Sequence, residues 1–124
     1  MLVSDLGGGK TTFTKGLAKG LGSVSVVTSP TFIVSRVYPC RDNLSLHHFD
    51  FYRLHEGGMV AHELKEVLDD PQVVTVVEWS DVVSEVIPAD YIEIKISRTA
   101  TDEDSRKIDI KYPDSFAYVM KEVR

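Results

Sequence analysis

Close to its first residue the chain reads Ser4-Asp5-Leu6-Gly7-Gly8-Gly9-Lys10-Thr11-Thr12. Consecutive glycines leave the backbone free to curl, so that successive N–H groups can point inward at a triphosphate. Lys10 can then reach the β- and γ-phosphates, while the Thr11 hydroxyl can hold the Mg²⁺ that accompanies them. The run therefore predicts a phosphate-binding P-loop, whose nucleotide contacts are Leu6, Gly7, Gly8, Gly9, Lys10, Thr11 and Thr12.

This stretch departs from the full P-loop pattern in two ways. The pattern has glycine where Ser4 stands, and it follows a whole buried strand where only Met1-Leu2-Val3 precede the loop here. If the backbone at position 4 needs a positive φ, a serine there costs on the order of 1–3 kcal/mol, whereas at an ordinary φ it is tolerated. The alternative for Lys10 is an ordinary lysine at the start of a helix.

The composition is that of one globular domain spanning residues 1–124. The chain is 43% hydrophobic and carries a net charge of −5, which argues against an extended nucleic-acid-binding surface. No apolar run approaches the roughly 18 residues of a membrane span. Cys40 is the single cysteine, so a disulfide framework is excluded, and a reducing cytoplasm is the expected compartment.

Apolar periodicity predicts alternating helices and strands along the chain. Predicted helices cover 12–21, 60–68, 80–86 (capped by Ser80) and a final stretch from Asp114 or Ser115 to 123; predicted strands cover 32–38, 44–51, 73–77, 91–96 and 107–112. The strands 32–38 and 44–51 form an expected antiparallel hairpin. Only some strands are separated by helices, so the sequence predicts an α/β fold with a mixed sheet, in which Lys15 and Lys19 lie on a solvated helix face.

Acidic side chains end two of these strands. Asp50 closes the strand 44–51, and Glu78 follows the valine-rich strand 73–77. A P-loop needs carboxylates to complete its Mg²⁺ site and to orient a water molecule. Both residues are therefore candidates, the alternatives being a solvated strand end for Glu78 and a salt bridge with Arg53 for Asp50.

The segment Ser29-Pro30-Thr31-Phe32 places hydroxyl groups on a loop soon after the first helix. A nucleotide-sensing loop is expected at this position, and an ordinary turn with a strand-initiating threonine is the equally weighted alternative.

The adjacent histidines His47 and His48 point to opposite faces of a strand, so they do not share one metal ion easily. The remaining histidines lie far away in the sequence, and a zinc site is rejected.

Taken together, these motifs resemble those of the bacterial TsaE family, also called YjeE-type ATPases. The P-loop of the family reads Gly-Asp-Leu-Gly-Ala-Gly-Lys-Thr-Thr-Phe and corresponds to residues 4–13. Its Ser-Pro-Thr-Phe/Tyr segment corresponds to 29–32, its His-x-Asp-x-Tyr-Arg motif to 48–53, and its Glu-Trp pair to 78–79. The resemblance runs from residue 2 to about residue 93, and several motifs in the right order are far more specific than any one of them.

The resemblance implies a P-loop NTPase-like fold with three layers around a mixed parallel and antiparallel sheet, its first strand truncated here. It also implies slow, Mg²⁺-dependent hydrolysis of ATP to ADP. The implied partner is the TsaB–TsaD heterodimer, which transfers a threonylcarbamoyl group to the adenosine next to the tRNA anticodon. The chain would thus meet tRNA only indirectly, and no membrane.

Carried over by position, the resemblance implies that Lys10 and Thr11 hold phosphate and Mg²⁺, that Glu78 is the second Mg²⁺ contact, and that Asp50 is the second functional carboxylate. The implied catalytic residues are Lys10, Asp50 and Glu78, and the implied metal ligands are Thr11 and Glu78. Further implied nucleotide contacts are Thr31, Trp79 and, as the loose match to a late arginine, Arg106. The alternative for Trp79 is an ordinary core residue.

Members of the family carry a helix and the first buried strand ahead of the P-loop, whereas this chain starts at Met1. The expectation is either an incomplete chain or a sheet without its usual support. The alternative functions are a nucleotide-weak or inactive P-loop module that docks TsaB–TsaD and, less favoured, a small-molecule kinase. A kinase needs lid arginines, and only scattered arginines follow Glu78.

Overall fold

A mixed sheet forms the centre of the computed structural model, which describes residues 1–5, 8–25, 27, 35–52, 54, 58–121 and 123. The strands are β1 (Leu2–Val3), β2 (Ser35–Pro39), β3 (Ser45–Asp50), β4 (Val73–Glu78), β5 (Glu93–Arg98) and β6 (Arg106–Lys111). The α-helices are α1 (Lys10–Gly20) and α2 (Gly58–Leu68), and 3₁₀ turns cover Arg41–Asn43, Ser80–Val86 and Asp114–Met120.

The strand order in the described sheet is β2-β3-β4-β1-β5-β6. The inner strands β3, β4, β1 and β5 run parallel, and the edge strands β2 and β6 are antiparallel to their neighbours. The predicted hairpin is confirmed, with Ser35 opposite Phe49 and Pro39 opposite Ser45. In the β3–β4 register Asp50 lies beside Glu78, so the two candidate carboxylates end neighbouring strands at the same edge of the sheet.

Side-chain alternation along the buried strands separates two hydrophobic cores. On one face the buried Leu46 and Val76 belong to the same cluster as Ala18 of α1. On the other face Phe49 and Val77 pack in the cluster that includes the fully buried Leu64 of α2. The helices therefore cover opposite faces of the sheet, which confirms the three-layer α/β prediction.

Strand β1 is short, with two residues, but it lies between β4 and β5 in the middle of the sheet. Leu2 is aligned with Glu78 on one side and with Ile94 on the other. Because β1 and β4 are parallel, the segment that follows β1 emerges beside Glu78. Ser4 and Asp5 are thereby placed at the edge where β3 and β4 end.

The two later helices are predicted in the right places but with the wrong type and the wrong caps. Residues 80–86 form 3₁₀ turns with a break at Val83, and the capping residue is Trp79 rather than Ser80. Residues 114–120 also form a 3₁₀ helix, preceded by Pro113, while the Ser115 hydroxyl donates to Asp90 instead of capping. Short segments with few intrahelical bonds readily adopt the tighter 3₁₀ geometry.

None of the helices in the described part of the chain has the length and hydrophobicity that crossing a membrane requires.

Candidate functional site

The glycine run leads directly into the first helix. Gly9 is the residue that caps α1, at φ 114° and ψ 12°, a backbone conformation that favours glycine. Its carbonyl accepts a hydrogen bond from Phe13 N–H at 2.9 Å, while no side chain caps the helix start. The first N–H groups of a helix have no intrahelical acceptor and carry partial positive charge, so this end of α1 suits an anion.

Ser4 does not have a positive φ, so the backbone strain considered for this position does not arise. Its hydroxyl donates to Asp5 O at 2.8 Å and lies where a side chain on Gly8 would be. A Cβ placed on Gly8 would meet Ser4 Oγ at 1.7 Å. The serine is therefore accommodated because residue 8 is glycine.

Lys10 begins α1, yet only 9% of it is exposed. Its Nζ donates to Ser4 O at 3.3 Å and to Asp5 O at 3.2 Å, and it lies 5.1 Å from the centroid of the Trp79 ring. A lysine on a solvated helix start would have none of these contacts. The side chain instead folds back over the loop, within a cation–π distance of the tryptophan.

The two residues after Lys10 are more exposed to solvent than Lys10. Thr11 is half-buried and Thr12 is exposed, both in the first turn of α1. The Thr11 hydroxyl is thus carried by the same helix start whose N–H groups are free to bind an anion.

Glu78 is the last residue of β4 and is buried, with 2% of its surface exposed. Its Oε1 has no hydrogen-bond partner within the described chain. A solvated strand end is therefore wrong for this residue. An unpartnered carboxylate oxygen in a buried position is costly, and such groups are typical of functional sites.

Asp50 ends β3 beside Glu78 and is half-buried. Its Oδ1 accepts a hydrogen bond from Tyr52 N–H at 3.0 Å. Burial is the largest influence on the Asp50 carboxyl and raises its pKa; the Glu78 carboxylate raises it further, while the Tyr52 N–H and His48 act in the opposite direction. The alternative salt bridge with Arg53 lies outside the described residues.

His48 lies on the same face of β3 as Asp50, two residues earlier, and is fully buried. Its Nε2 is 3.2 Å from Glu78 Oε2. From the sequence, this histidine was assigned to the His-x-Asp-x-Tyr-Arg motif and rejected as a zinc ligand, without a role beside the carboxylates. The His-x-Asp spacing and the strand alternation were the signals that could have placed it beside the carboxylates.

Trp79 connects the carboxylates to the glycine loop. It has left-handed backbone angles, φ 56° and ψ 55°, which non-glycine residues rarely adopt and which turn the chain sharply after Glu78. Its ring packs against the Tyr52 ring at a centroid distance of 4.9 Å and against Lys10, and it also borders the α2 core. Trp79 is thus part of the core and part of the site.

Comparisons with known proteins identify the family of this chain. The family model described as Threonylcarbamoyl adenosine biosynthesis protein TsaE matches residues 1–108. The chain belongs to the TsaE family. It is 41% identical to the tRNA threonylcarbamoyladenosine biosynthesis protein TsaE of Streptomyces coelicolor over 82% of this chain and 70% of that protein. It is 43% identical to the TsaE protein of Bacillus subtilis over 82% of this chain and 63% of that protein.

A solved structure supports the fold described above. The crystal structure of YdiB from Bacillus subtilis matches with a TM-score of 0.74 and 32% identity, over 98% of this chain and 72% of that one. This similarity confirms the P-loop NTPase-like fold. The chain spans about two thirds of the length of the TsaE relatives that it matches.

Several TsaE motif residues lie outside the described residues, namely Leu6, Gly7 and the segment 29–32 with Thr31. Arg106 is described: it begins the edge strand β6, is exposed, and its guanidinium donates to the carbonyls of Glu103 and Ser105. Its role as a nucleotide contact stays a prediction.

The donor atoms at this edge fit a magnesium ion. Mg²⁺ prefers oxygen ligands and is usually bound by one or two protein groups together with substrate phosphates and water. Thr11 offers a hydroxyl at the helix start, and Glu78 offers the buried Oε1 that has no partner within the described chain. The arrangement can therefore combine an anion-binding helix start, one lysine and two adjacent carboxylates.

Proposed function

We propose that this chain binds Mg·ATP at its glycine loop and hydrolyses it slowly, and that this ATPase serves the threonylcarbamoyladenosine modification of tRNA. The observation that carries the proposal is the position of Lys10. Its ammonium group lies between the carbonyls of the loop and the ring of Trp79, the residue that follows Glu78. One side chain thus joins the phosphate-binding half of the site to the carboxylate half.

The loop and Lys10 bind the triphosphate. The N–H groups at the start of α1, which have no intrahelical acceptor, donate to the anion, and Lys10 exchanges its bonds to the Ser4 and Asp5 carbonyls for bonds to phosphate oxygens. A charge-assisted bond to phosphate is stronger than a bond to a neutral carbonyl, so the exchange is favourable. The same positive charge stabilises the negative charge that builds up on the transferred phosphoryl group.

Thr11 and Glu78 are the residues that hold the metal. When bound, Mg²⁺ would supply positive charge that neutralises part of the phosphate charge. Glu78 is buried at the end of β4, so its carboxylate is already fixed close to the loop before the nucleotide binds. Little reorganisation is then needed on binding.

Asp50 orients the attacking water. Its Oδ1 is held by Tyr52 N–H, which fixes the carboxylate plane, and the side chain remains half-exposed to solvent. Burial raises its pKa, which makes the carboxylate a better proton acceptor than an exposed aspartate. Charge repulsion between Asp50 and the adjacent Glu78 favours a cation or a proton between them.

The partner that we propose is the TsaB–TsaD heterodimer, and the compartment is the cytoplasm. The net charge of −5 favours indirect contact with tRNA through these partners over an RNA-binding surface on this chain. The names of the TsaE relatives support the pathway, and the site geometry supports the ATP chemistry.

Calorimetric titration of ATP with Mg²⁺ tests the proposal with the variant Lys10→Ala. Hydrogen bonds to charged groups contribute about 1.5–3 kcal/mol, which corresponds to a roughly 10–150-fold loss of affinity. Lys15→Ala is the matched control, since Lys15 is an exposed lysine on the same helix. Unchanged affinity in Lys10→Ala, or an equal loss in Lys15→Ala, refutes nucleotide binding at this loop.

Mixing the chain with TsaB–TsaD in the presence and absence of ATP separates the ATPase from a docking module. Association that depends on ATP supports the proposed function. Association of the same affinity with and without ATP favours the docking module.

A further inference from the structure

His48 lies inside the site but has no part in the mechanism proposed above. Its ring is fully buried, and neither Nδ1 nor Nε2 has a hydrogen-bond partner within the described chain. On this face the neighbouring Leu46 and Val76 are apolar and buried, and Asp50 follows two residues later on the same strand. An aliphatic residue would fill the position without leaving polar atoms unsatisfied, so packing alone does not explain a histidine here.

The carboxylate of Glu78 lies within hydrogen-bond distance of the ring. Strands β3 and β4 are parallel with His48 beside Val76, so His48 and Glu78 lie diagonally on one face. Nε2 and Glu78 Oε2 are 3.2 Å apart, which is a hydrogen-bond distance, although the N–H direction is not aligned. Such bonds in ligand-free sites are often poorly aligned and tighten when the ligand binds.

The two oxygens of Glu78 are not equivalent. Oε2 faces the histidine, whereas Oε1 is buried and has no partner within the described residues. A bond to Oε2 restricts rotation of the carboxylate group and thereby fixes the direction of Oε1. An imidazole can donate from Nε2 in one of its two neutral tautomers and in its cationic form.

We propose that His48 is a positioning residue for Glu78: its Nε2–H holds Oε2, which leaves Oε1 as the oxygen that binds the Mg²⁺ of Mg·ATP. The inference rests on the proposed function and deepens it. Partners that orient a metal-binding side chain typically change metal affinity 10–100-fold when they are removed. The effect of His48 is therefore on the magnesium dependence of ATP binding, not on ATP binding as such.

The test compares His48→Gln, His48→Asn and His48→Leu. The glutamine amide nitrogen reaches the position of Nε2, whereas the shorter asparagine reaches only that of Nδ1, which makes it the matched control. For each protein, calorimetry gives the ratio of ATP affinity with Mg²⁺ to ATP affinity in EDTA. We expect this ratio to fall at least about tenfold in the leucine and asparagine variants, with affinity in EDTA unchanged and with most of the ratio retained in His48→Gln.

The outcomes are distinguishable. Wild-type protein without measurable ATP affinity refutes the proposed function. Normal wild-type affinity together with an unchanged Mg²⁺ ratio in His48→Leu overturns the positioning role alone. An equal loss in His48→Gln and His48→Leu also overturns it, because the effect then does not pass through Nε2.

NMR spectroscopy tests the contact between His48 and Glu78 in the ligand-free protein. In ¹⁵N-imidazole spectra of the nucleotide-free protein, we expect the His48 proton on Nε2 and a shift of the Nε2 resonance in Glu78→Gln. A proton on Nδ1 alone, or an Nε2 chemical shift that is the same in Glu78→Gln as in the wild type, overturns the proposal.

Discussion

Replacing Gly8 with alanine should destabilise this loop, and the cost should depend on Ser4. The φ of Gly8 is not positive, so alanine is compatible with the backbone and any cost comes from contacts. The new Cβ would lie 1.7 Å from Ser4 Oγ, 3.0 Å from Ser4 Cβ and 2.9 Å from Asp5 O. All three distances are shorter than normal van der Waals contact, so Ser4 or the loop backbone must move.

The magnitude follows from what must move. Rotating the Ser4 hydroxyl away breaks its bond to Asp5 O, which costs about 0.5–1.5 kcal/mol. The remaining contacts involve backbone and Ser4 Cβ, and overpacking of this kind costs about 1–3 kcal/mol. In a Ser4→Gly background the contacts with Ser4 disappear and only the one with Asp5 O remains. Gly8→Ala should then cost less, with a coupling energy of about 1–3 kcal/mol between the two sites.

Urea denaturation of the wild type, both single variants and the double variant measures this coupling. Gly16→Ala is the control, because nothing lies within 4 Å of a Cβ at that exposed helix position. It should stabilise the protein by about 0.5–1 kcal/mol. Costs for Ser4→Gly and Gly8→Ala that simply add would refute the reasoning. Coupling would explain why the family pattern has glycine at position 4 and alanine at position 8, whereas this chain has serine and glycine.

Two further predictions concern the carboxylate half of the site. Asp50→Asn should leave the free energy of unfolding unchanged at acidic pH and raise it at neutral pH. Burial raises the Asp50 pKa in the folded state, so the charged carboxylate destabilises the folded protein once the pH exceeds the ordinary carboxyl pKa, and the variant removes that charge. Urea midpoints at both pH values check this, and an equal gain at both contradicts it. The fluorescence of Trp79, the single tryptophan, should change when ATP draws the Lys10 ammonium away from the indole ring. The variant Lys10→Ala should lose this response, and a fluorescence signal of the wild type that stays constant up to saturating ATP contradicts the prediction.

The sequence was informative where one local pattern suffices to define a structure. The glycine run predicted a helix after it, expected over 12–21 and observed from Lys10 to Gly20. Strand alternation predicted the hairpin, and the continuous apolar run 73–77 predicted the buried β4. Strand-end positions also identified Asp50 and Glu78 separately. Their adjacency could not be derived, because it depends on the β3–β4 register between segments far apart in the chain.

Other features of the site depend on distances that no sequence pattern contains. The overlap between a Gly8 side chain and Ser4 arises from how the loop folds back on itself. The serine cap predicted for residues 80–86 was wrong because Trp79, in a left-handed conformation, occupies the capping position. That turn places the indole of Trp79 beside the Lys10 ammonium group.

The cluster at the end of β3 and β4 places polar groups where the fold would be more stable without them. His48 and Glu78 are as buried as the Leu46 and Val76 beside them, yet they leave nitrogen and oxygen atoms unsatisfied within the described chain. Such a cluster persists only if the surrounding cores hold it in place, and here each face of the sheet supplies one. A ligand that satisfies Glu78 Oε1 should therefore stabilise the protein beyond its own contacts with the loop, and Mg·ATP is the ligand whose positive metal ion fits that oxygen.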